Sequence, residues 1–463
     1  MKKLIFAAFA LLLVASTFFT VQPEAQALAL EVDSELIHVL QQVTDQALVE
    51  AVVTYDSMPT SDQVNLLQLL GLETKTYSQL PMVAVKGTRL EIYALLNTSI
   101  VGALSIYYNK ELEYFLRDSR ELVGAERVWN DLGYTGRGVT VAVIDSGIDA
   151  THPDLPLGEK VVQNVKFLVG EGIFSDGPFY LENVANTDTS SGHGTHVAGT
   201  IAGLGTASDG LYKGIAPDAK LVGLGTGEGL NILWALEGFN YVLEHQEEYG
   251  IKVISNSWGT TGEYSANNPI NVASKAAHDA GMVVVFAAGN EGPDDNTLNP
   301  YSAAPWVISV AAGTKDKQLA DFSSRGVAGD DLLHPDITAP GVDIVATKSS
   351  TGLVMNSLGS VTDATYIAPE HLPYYTTASG TSMATPHISG IVALMLEAKP
   401  GLHPDVVLDL LENTADPMEG YAYHEVGAGY VNAYEAVKLA EKTALQLGKY
   451  RDKNTGKTYD TYF

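Results

Sequence analysis

The run Val139-Thr140-Val141-Ala142-Val143-Ile144-Asp145-Ser146-Gly147 decides the fold class of this 463-residue chain. Its first part is β-branched and apolar, and an uninterrupted run of this kind is typical of a strand buried on both faces of a parallel sheet. The run ends at Asp145, with a glycine close behind it. Because sites in open α/β sheets form at the carboxyl ends of strands, Asp145 is a candidate functional residue.

Similar apolar runs alternate with helical patterns along the rest of the chain. Strands are predicted at residues 219–224, 251–256, 282–287 and 306–310, and helices at 194–204, 232–248 and 271–280. This alternation predicts a three-layer α/β/α domain, in which helices cover both faces of a mostly parallel sheet. We assign this domain to residues 117–445.

Three short segments carry the side chains that could perform chemistry. They are Val143–Asp149 around Asp145, Ser191–Gly199 around His193, and Ser379–His387 around Ser382. Each segment places a reactive side chain beside small residues, where backbone and substrate can approach closely. Taken singly they are weak signals, because an aspartate is often a cap and a lone histidine is often structural. In the order Asp, His, Ser on an α/β pattern they indicate nucleophilic catalysis.

These segments resemble the signature blocks of the subtilisin-like serine proteases. A fourth segment, Phe286-Ala287-Ala288-Gly289-Asn290, is similar to the one that carries the family's oxyanion-binding asparagine. The similarity runs from about residue 124 to 440 and includes Ile215-Ala216-Pro217 and Ala339-Pro340-Gly341. The resemblance implies a secreted serine endopeptidase with a subtilisin-like fold.

Each of the four residues then has a chemical role. A serine hydroxyl such as that of Ser382 needs a base to remove its proton, and His193 suits that task. Asp145 would hold the imidazole in the useful tautomer and stabilise the imidazolium. Asn290 and the backbone N–H at the helix start that bears Ser382 would bind the oxyanion.

The resemblance also implies the residues that bind substrate. The pocket for the residue before the scissile bond would lie between two segments, Ser257, Trp258, Gly259 and Ala287, Ala288, Gly289. The glycine-rich stretch 225–229, with Gly225 and Gly227, resembles the edge strand that pairs with extended substrate. Main-chain pairing tolerates many sequences, so we expect broad specificity, with a preference for large apolar P1 residues. Trp258 is equally well explained as a core aromatic.

The N-terminus has the layout of a secretory signal peptide. Lys2-Lys3 precede an apolar run from Leu4 to about Val14, and Ala25-Gln26-Ala27 offers a cleavage site. The apolar run is short for a bilayer span. We therefore assign residues 1–27 to a signal peptide and expect a secreted, extracellular protein without a membrane anchor.

Residues 28–116 show the order β-α-β-β-α-β of a small α+β module. In this position the module resembles the inhibitory propeptide of secreted subtilases, an intramolecular partner that assists folding and is then removed by the enzyme itself. Cleavage is expected near Leu116, with Tyr114 as the alternative. A merely decorative domain is the competing interpretation. Residues 446–463 are read as a polar C-terminal tail.

No cofactor is expected for the chemistry. Many relatives carry structural calcium, but the stretch 204–213 does not match their asparagine-rich loop. A structural calcium ion stays open, with Asp154 as one candidate oxygen ligand and no metal ligand assigned. We expect His196 to support His193, and His152, His278, His334 and His387 to be structural or solvated.

Composition excludes several functions. The formal net charge is −28, which disfavours nucleic-acid binding. The chain has no cysteine, so it has no disulfide, thiolate nucleophile or cysteine-ligated metal. The expected partners are protein and peptide substrates. Two rivals remain: a catalytically silent binding protein that keeps the subtilase fold, and a metalloprotease, although His193-Gly194-Thr195-His196 lacks the H-E-x-x-H pattern.

Overall fold

The computed structural model describes residues 30–462, apart from 111–112, 115–120, 170–173, 175–178, 228, 331, 445–446 and 452–457. The predicted signal peptide and Leu116 lie outside the described residues. Within the described part of the chain, no helix is long and apolar enough to cross a membrane.

Residues 31–108 form a small α+β domain around a five-stranded sheet with the order β1-β5-β2-β4-β3. Only the β1–β5 pair is parallel. The predicted β-α-β-β-α-β order runs from β2 to β5, and β1 and α1 precede it. The elements are β1 (Glu31–Val32), α1 (Ser34–Gln42), β2 (Leu48–Tyr55), α2 (Ser61–Leu69), β3 (Glu73–Thr76), β4 (Met82–Thr88), α3 (Arg89–Leu96) and β5 (Ala103–Tyr108).

The larger domain is built on an eight-stranded sheet with the order β15-β14-β13-β11-β7-β10-β8-β9. Its neighbouring strands are parallel except for β9, which pairs antiparallel with β8. This confirms the predicted fold class. The strands are β7 (Thr140–Asp145), β8 (Val161–Phe167), β9 (Tyr180–Leu181), β10 (Lys220–Gly225), β11 (Ile251–Asn256), β13 (Val283–Ala287), β14 (Ile308–Gly313) and β15 (Ile337–Pro340).

Helices cover both faces of this sheet, and short strand pairs lie beside it. The central helix α10 and helix α4 belong to one buried cluster, whereas α5 and α7 belong to the cluster on the opposite face. The helices are α4 (His193–Ala202), α5 (Ile232–Glu244), α6 (Gln246–Tyr249), α7 (Pro269–Asp279), α8 (Leu353–Gly359), α9 (Asp363–Tyr366), α10 (Thr381–Ala398), α11 (Pro404–Thr414), α12 (Tyr423–Val426) and α13 (Ala433–Lys442). The paired short strands are β6 (Glu113–Tyr114) with β12 (Trp258–Gly259), and β16 (Ile344–Thr347) with β17 (Tyr375–Ala378).

The C-terminal segment, which we assigned to a polar tail, contains an antiparallel hairpin of β18 (Leu447–Arg451) and β19 (Thr458–Tyr462).

The small domain packs its sheet on α5 and α7. Val52, Leu80 and Met82 belong to the same buried cluster as residues of both helices. The ion pair of Lys75 with Glu237 lies in this interface, and the two side chains are only 14% and 4% exposed. The Lys75 ammonium also lies 3.7 Å from the centre of the Phe179 ring. The two domains therefore share an apolar interface with a buried ion pair inside it.

Candidate active site

The side chains of Asp145 and His193 meet at the end of the central strand. Asp145 is the last residue of β7, and His193 is the first residue of α4. The Nδ1–H of His193 donates to Oδ1 of Asp145 at 2.7 Å, and both side chains are buried. This contact selects the tautomer in which Nε2 can accept a proton.

Small residues let α4 approach this strand end. A Cβ added to Gly194 would lie 2.2 Å from the carbonyl oxygen of Gly147 and 3.0 Å from Cβ of Asp145. Only glycine fits such a contact. The glycines that flank His193 and Asp145 in the sequence therefore set the distance between the two catalytic candidates.

Asp188 holds the turn that leads into α4. Its carboxylate accepts hydrogen bonds from the backbone N–H groups of Gly192 at 2.8 Å and Thr195 at 3.1 Å, and from the Thr195 hydroxyl at 2.6 Å. The donors belong to the first turn of the helix, whose N–H groups lack helical partners. Burial raises the pKa of Asp188 to about 6. Sequence analysis did not single out this residue.

Ser382 is the second residue of α10, which packs against α4. Its hydroxyl donates to the carbonyl oxygen of Ser257 at 2.7 Å, and the Ser257 hydroxyl donates to the carbonyl oxygen of Ser382 at 2.8 Å. In an α-helix that second carbonyl would accept from the N–H of residue 386. Residue 386 is proline and has no N–H, so Ser257 takes the vacant place.

Asn290 is tied to the start of the same helix. Its Oδ1 accepts hydrogen bonds from the backbone N–H and the hydroxyl of Thr381, both at 3.0 Å. A backbone N–H must point to the oxygen of the amide, so this contact identifies Nδ2 as the donor end of the side chain. Asn290 and the residue before Ser382 are therefore held together.

The two segments predicted to flank the substrate pocket are joined by Asn299. Its Nδ2 donates to the carbonyl oxygens of Trp258 at 3.1 Å and Ala287 at 2.9 Å. Ser257 and Gly259 neighbour the first of these residues in the chain, and Ala288 and Gly289 follow the second. The backbone N–H of Asn299 donates to Ala288. Asn299 lies in a loop 41 residues beyond Trp258, and no local sequence pattern distinguishes it.

The side chain of Trp258 lies in the core, as the alternative interpretation had it. It is fully buried, its indole N–H donates to the carbonyl oxygen of Ile144 at 2.7 Å, and its ring lies edge-on to Phe286. The buried indole therefore belongs to the core, and the main chain of Trp258 is the part that pairs with Tyr114.

Gly225 and Gly227, which we expect to pair with extended substrate, lie at the end of β10 and in the segment that follows it. The N–H groups of Thr226 and Gly227 donate to the carbonyl oxygens of Asp145 at 3.0 Å and Ser146 at 2.9 Å. These bonds hold the backbone against the end of β7, and the pairing with substrate stays a prediction.

The chain that follows the small domain pairs with the segment beside Ser257. In β6, Tyr114 lies opposite Trp258 and Glu113 lies opposite Gly259, in antiparallel register. Upstream of β6, the side-chain oxygen of Asn109 accepts a hydrogen bond from the N–H of Leu233 at 2.8 Å, at the start of α5. An extended segment of this chain thus occupies a position beside the candidate nucleophile.

Both carboxylate oxygens of Asp154, the candidate calcium ligand, accept hydrogen bonds from within the protein. One of its carboxylate oxygens accepts from the N–H of Ala207 at 3.0 Å, and the other from the hydroxyl of Tyr375 at 2.6 Å. The carboxylate is fully buried and anchors the loop that follows α4. Nearby, His196 lies 3.2 Å from the carbonyl oxygens of Ile344 and Thr376, and burial lowers its pKa to about 3.

Known proteins with similar sequences are proteases of one family. Residues 136–439 match the Subtilase family, Peptidase_S8. Serine protease AprX of Bacillus subtilis is 34% identical over 352 residues, which is 72% of this chain and 74% of the relative. Subtilisin E of the same organism is 36% identical over 313 residues, which is 66% of this chain and 67% of the relative.

A solved structure shares the fold. Fervidolysin from Fervidobacterium pennivorans, described as a keratinolytic enzyme related to subtilisin, superposes with a TM-score of 0.64 at 24% identity. The match covers 91% of this chain and 64% of the fervidolysin chain. Fold and relatives together define a serine endopeptidase. The chain belongs to the subtilase family.

Proposed function

We propose that this endopeptidase works through Asp145, His193 and Ser382, with Asn290 as an oxyanion donor. The observation that carries the proposal is the buried 2.7 Å hydrogen bond from His193 Nδ1 to Asp145 Oδ1. It leaves Nε2 as the base, on a helix that packs against the helix bearing Ser382. The rival metalloprotease mechanism has no comparable support.

The reaction begins when the Ser382 hydroxyl gives up its hydrogen bond to the Ser257 carbonyl and donates instead to Nε2 of His193. The imidazole takes the hydroxyl proton as Oγ bonds to the scissile carbonyl carbon, and Asp145 stabilises the imidazolium that forms. The imidazolium then protonates the leaving amine, which departs and leaves an acyl-enzyme. A water molecule, deprotonated by His193, hydrolyses the ester and restores Ser382.

The negative charge that develops on the carbonyl oxygen is bound by two donors. One is Nδ2 of Asn290, whose other end is held by Thr381. The other is the backbone N–H of Ser382, at the N-terminus of α10, where the helix dipole favours an anion. Both are in place before reaction, so they need little reorganisation.

We further propose that residues 28–116 are a propeptide that the enzyme removes itself. The pairing of β6 with β12 supports this, because an extended segment lies where a substrate main chain would pair. The apolar contact with α5 and α7, together with the Lys75–Glu237 pair, would keep the module bound and inhibitory. The protein would be exported through its signal peptide. Its specificity would be broad, with a preference for large apolar P1 residues.

One experiment tests the chemistry. The mature enzyme should cleave casein, and Ser382→Ala should abolish this activity, whereas a zinc chelator should leave the wild-type rate unchanged. Normal cleavage by the Ser382→Ala protein would refute the mechanism. Absence of peptidase activity in the wild-type protein would favour the silent binding protein.

A second experiment tests self-processing. In a host without other extracellular proteases, the Ser382→Ala precursor should retain residues 28–116, while the wild-type protein loses them. N-terminal sequencing of the wild-type product then gives the cleavage site and one real P1 residue. Efficient removal from the Ser382→Ala precursor would contradict the proposal.

A further inference from the structure

Two histidines and an aspartate come together far from the catalytic candidates, between helices α7 and α11. They are His278 in the last turn of α7, His403 at the N-cap of α11, and Asp405 in its first turn. One ligand atom from each residue lies within 4.8 Å of the others. Side chains from two separate helices thus lie close together in one small region.

The distances match those of a small metal centre. Nε2 of His278 lies 2.9 Å from Oδ1 of Asp405, and Nδ1 of His403 lies 3.6 Å from Oδ2 of the same carboxylate. Nδ1 of His403 also accepts the backbone N–H of Asp405 at 3.3 Å, so an ion bound through this nitrogen would replace that helix-capping bond. Ligands bound tetrahedrally at about 2.0–2.1 Å from zinc are roughly 3.3 Å apart. Small side-chain rotations therefore suffice to bring the three ligand atoms around one ion.

The two nitrogens of His278 both face carboxylates. Nδ1 lies 3.3 Å from Oδ1 of Asp279, and Nε2 faces Asp405. Two states satisfy both contacts: an imidazolium that donates from both nitrogens, and a neutral imidazole that donates Nδ1–H to Asp279 and binds a metal cation through Nε2. A ligating histidine commonly donates its other N–H to a carboxylate, which is the relation between His278 and Asp279. Lys275, the nearby positive charge, is paired with that same Asp279.

The types of ligand atom indicate which metal ion the site would bind. Two imidazoles with one carboxylate suit zinc, whereas calcium prefers a shell of oxygen atoms. His278 is 5% exposed in its side chain, while His403 and Asp405 are 14% and 27% exposed, so an ion can enter from solvent.

We propose that His278, His403 and Asp405 bind a structural Zn²⁺ ion that ties α7 to α11. A water molecule would complete the tetrahedron. In a chain without cysteine, such an ion supplies a cross-link that a disulfide cannot. The N-terminal end of α7 follows Asn267, whose carbonyl oxygen accepts from Ser105 of the small domain at 2.5 Å. The ion would therefore steady a helix on which the small domain docks.

The test uses the full chain with Ser382→Ala, stripped of metal by a chelator and then titrated with Zn²⁺ in a calorimeter. We expect one tight site per chain and a rise in melting temperature with Zn²⁺ concentration. Co²⁺ in place of Zn²⁺ should give visible ligand-field absorption. His403→Ala and, independently, Asp405→Asn should abolish the tight site and the thermal shift.

Two further variants sharpen the test. Asp279→Asn should weaken Zn²⁺ binding by roughly 10- to 100-fold, as expected for a carboxylate that orients a ligand. His424→Ala is the matched control, because His424 pairs with Asp295 at 3.3 Å and is similarly exposed. It should bind Zn²⁺ like the parent. The proposal fails if the parent takes up no Zn²⁺, or if uptake and thermal shift survive both His403→Ala and Asp405→Asn.

Discussion

Ser257 and Ser382 exchange two hydrogen bonds, each hydroxyl donating to the other residue's carbonyl oxygen, at 2.8 and 2.7 Å. Pro386 makes this exchange necessary, because it removes the N–H that would otherwise satisfy the Ser382 carbonyl. The proline in the G-T-S-M-A-T-P run therefore has a structural role beside Ser382, because it leaves the Ser382 carbonyl free to accept from the Ser257 hydroxyl.

We expect Ser257→Ala to destabilise the enzyme, because a fully buried carbonyl loses its partner. The cost of such an unsatisfied group is about 1–3 kcal/mol. Pro386→Ala restores a helical N–H, so the loss of melting temperature caused by Ser257→Ala should be smaller in that background. A double-mutant cycle on inhibitor-blocked mature enzyme measures the coupling. Additive shifts would show that Pro386 and Ser257 act independently.

Asn290→Ala should lower kcat by about 10²–10³ with little change in KM, a magnitude taken from the equivalent loss in subtilisin. The reason is that Nδ2 binds the oxyanion only as charge develops. Because the substitution also removes the contact with Thr381, Thr381→Val serves as the control. It deletes the hydroxyl's contacts with Asn290 Oδ1 and with the N–H of Gly289, but it keeps the backbone N–H bond to Oδ1, so it should lose much less kcat than Asn290→Ala. Equal losses of kcat in the two variants would contradict the oxyanion role.

Glu237→Gln should weaken the hold of the small domain on the catalytic domain. It leaves Lys75 buried without its hydrogen-bonded carboxylate, and breaking a buried pair typically costs about 3–5 kcal/mol, or roughly 10²–10⁴ in affinity. Burial lowers the pKa of Lys75 to about 7, so the effect should be largest below that pH, where the ammonium keeps its charge. We expect the inhibition constant of the released module, added back to mature enzyme, to rise accordingly. Glu248→Gln, which alters an exposed pair with His245 just beyond the same helix, should change it little. An unchanged inhibition constant for Glu237→Gln would argue against the buried pair.

The raised pKa of Asp188, about 6, predicts an unusually steep acidic limb in the pH profile. As the pH falls through this value, the carboxylate takes up a proton and accepts less well from Gly192 and Thr195 at the start of α4. His193 must also be unprotonated to act as a base. We therefore expect the logarithm of kcat/KM to fall with a slope that exceeds one at low pH.

Asp188→Asn should reduce that slope to one, because only the base then titrates. The same shift has a consequence for stability. A raised pKa in the folded state means that burial disfavours the carboxylate, so this group's contribution to stability decreases as the pH rises from about 4 to about 6 and is constant above. If the acidic slope of kcat/KM is unchanged in Asp188→Asn, protonation of Asp188 does not contribute to it.

The sequence was most informative for the candidate catalytic residues, because each of them lies in a short motif. Asp145, His193, Ser382 and Asn290 each lie in a local run of small residues, and the strand ending at Asp145 is uniformly apolar. Strand β8 was missed because Gln163, Asn164 and Lys166 interrupt its apolar pattern. Asn164 is nevertheless buried, since its amide donates to the carbonyl oxygens of Ile148 and Val184.

Contacts between distant parts of the chain could not be read in the same way. Asn299 joins the two walls of the proposed pocket from a loop with no recognisable pattern. His278 was expected to be merely structural or solvated, because its partners His403 and Asp405 lie on another helix.

The identity of the nucleophile is tested most directly by covalent labelling. Mature enzyme treated with a serine-directed phosphonyl fluoride should lose activity as one adduct forms, and peptide mapping by mass spectrometry should place that adduct on Ser382. His193→Ala should label far more slowly, because the base is gone. Stoichiometric labelling of another residue, or full inactivation with Ser382 unmodified, would contradict the mechanism.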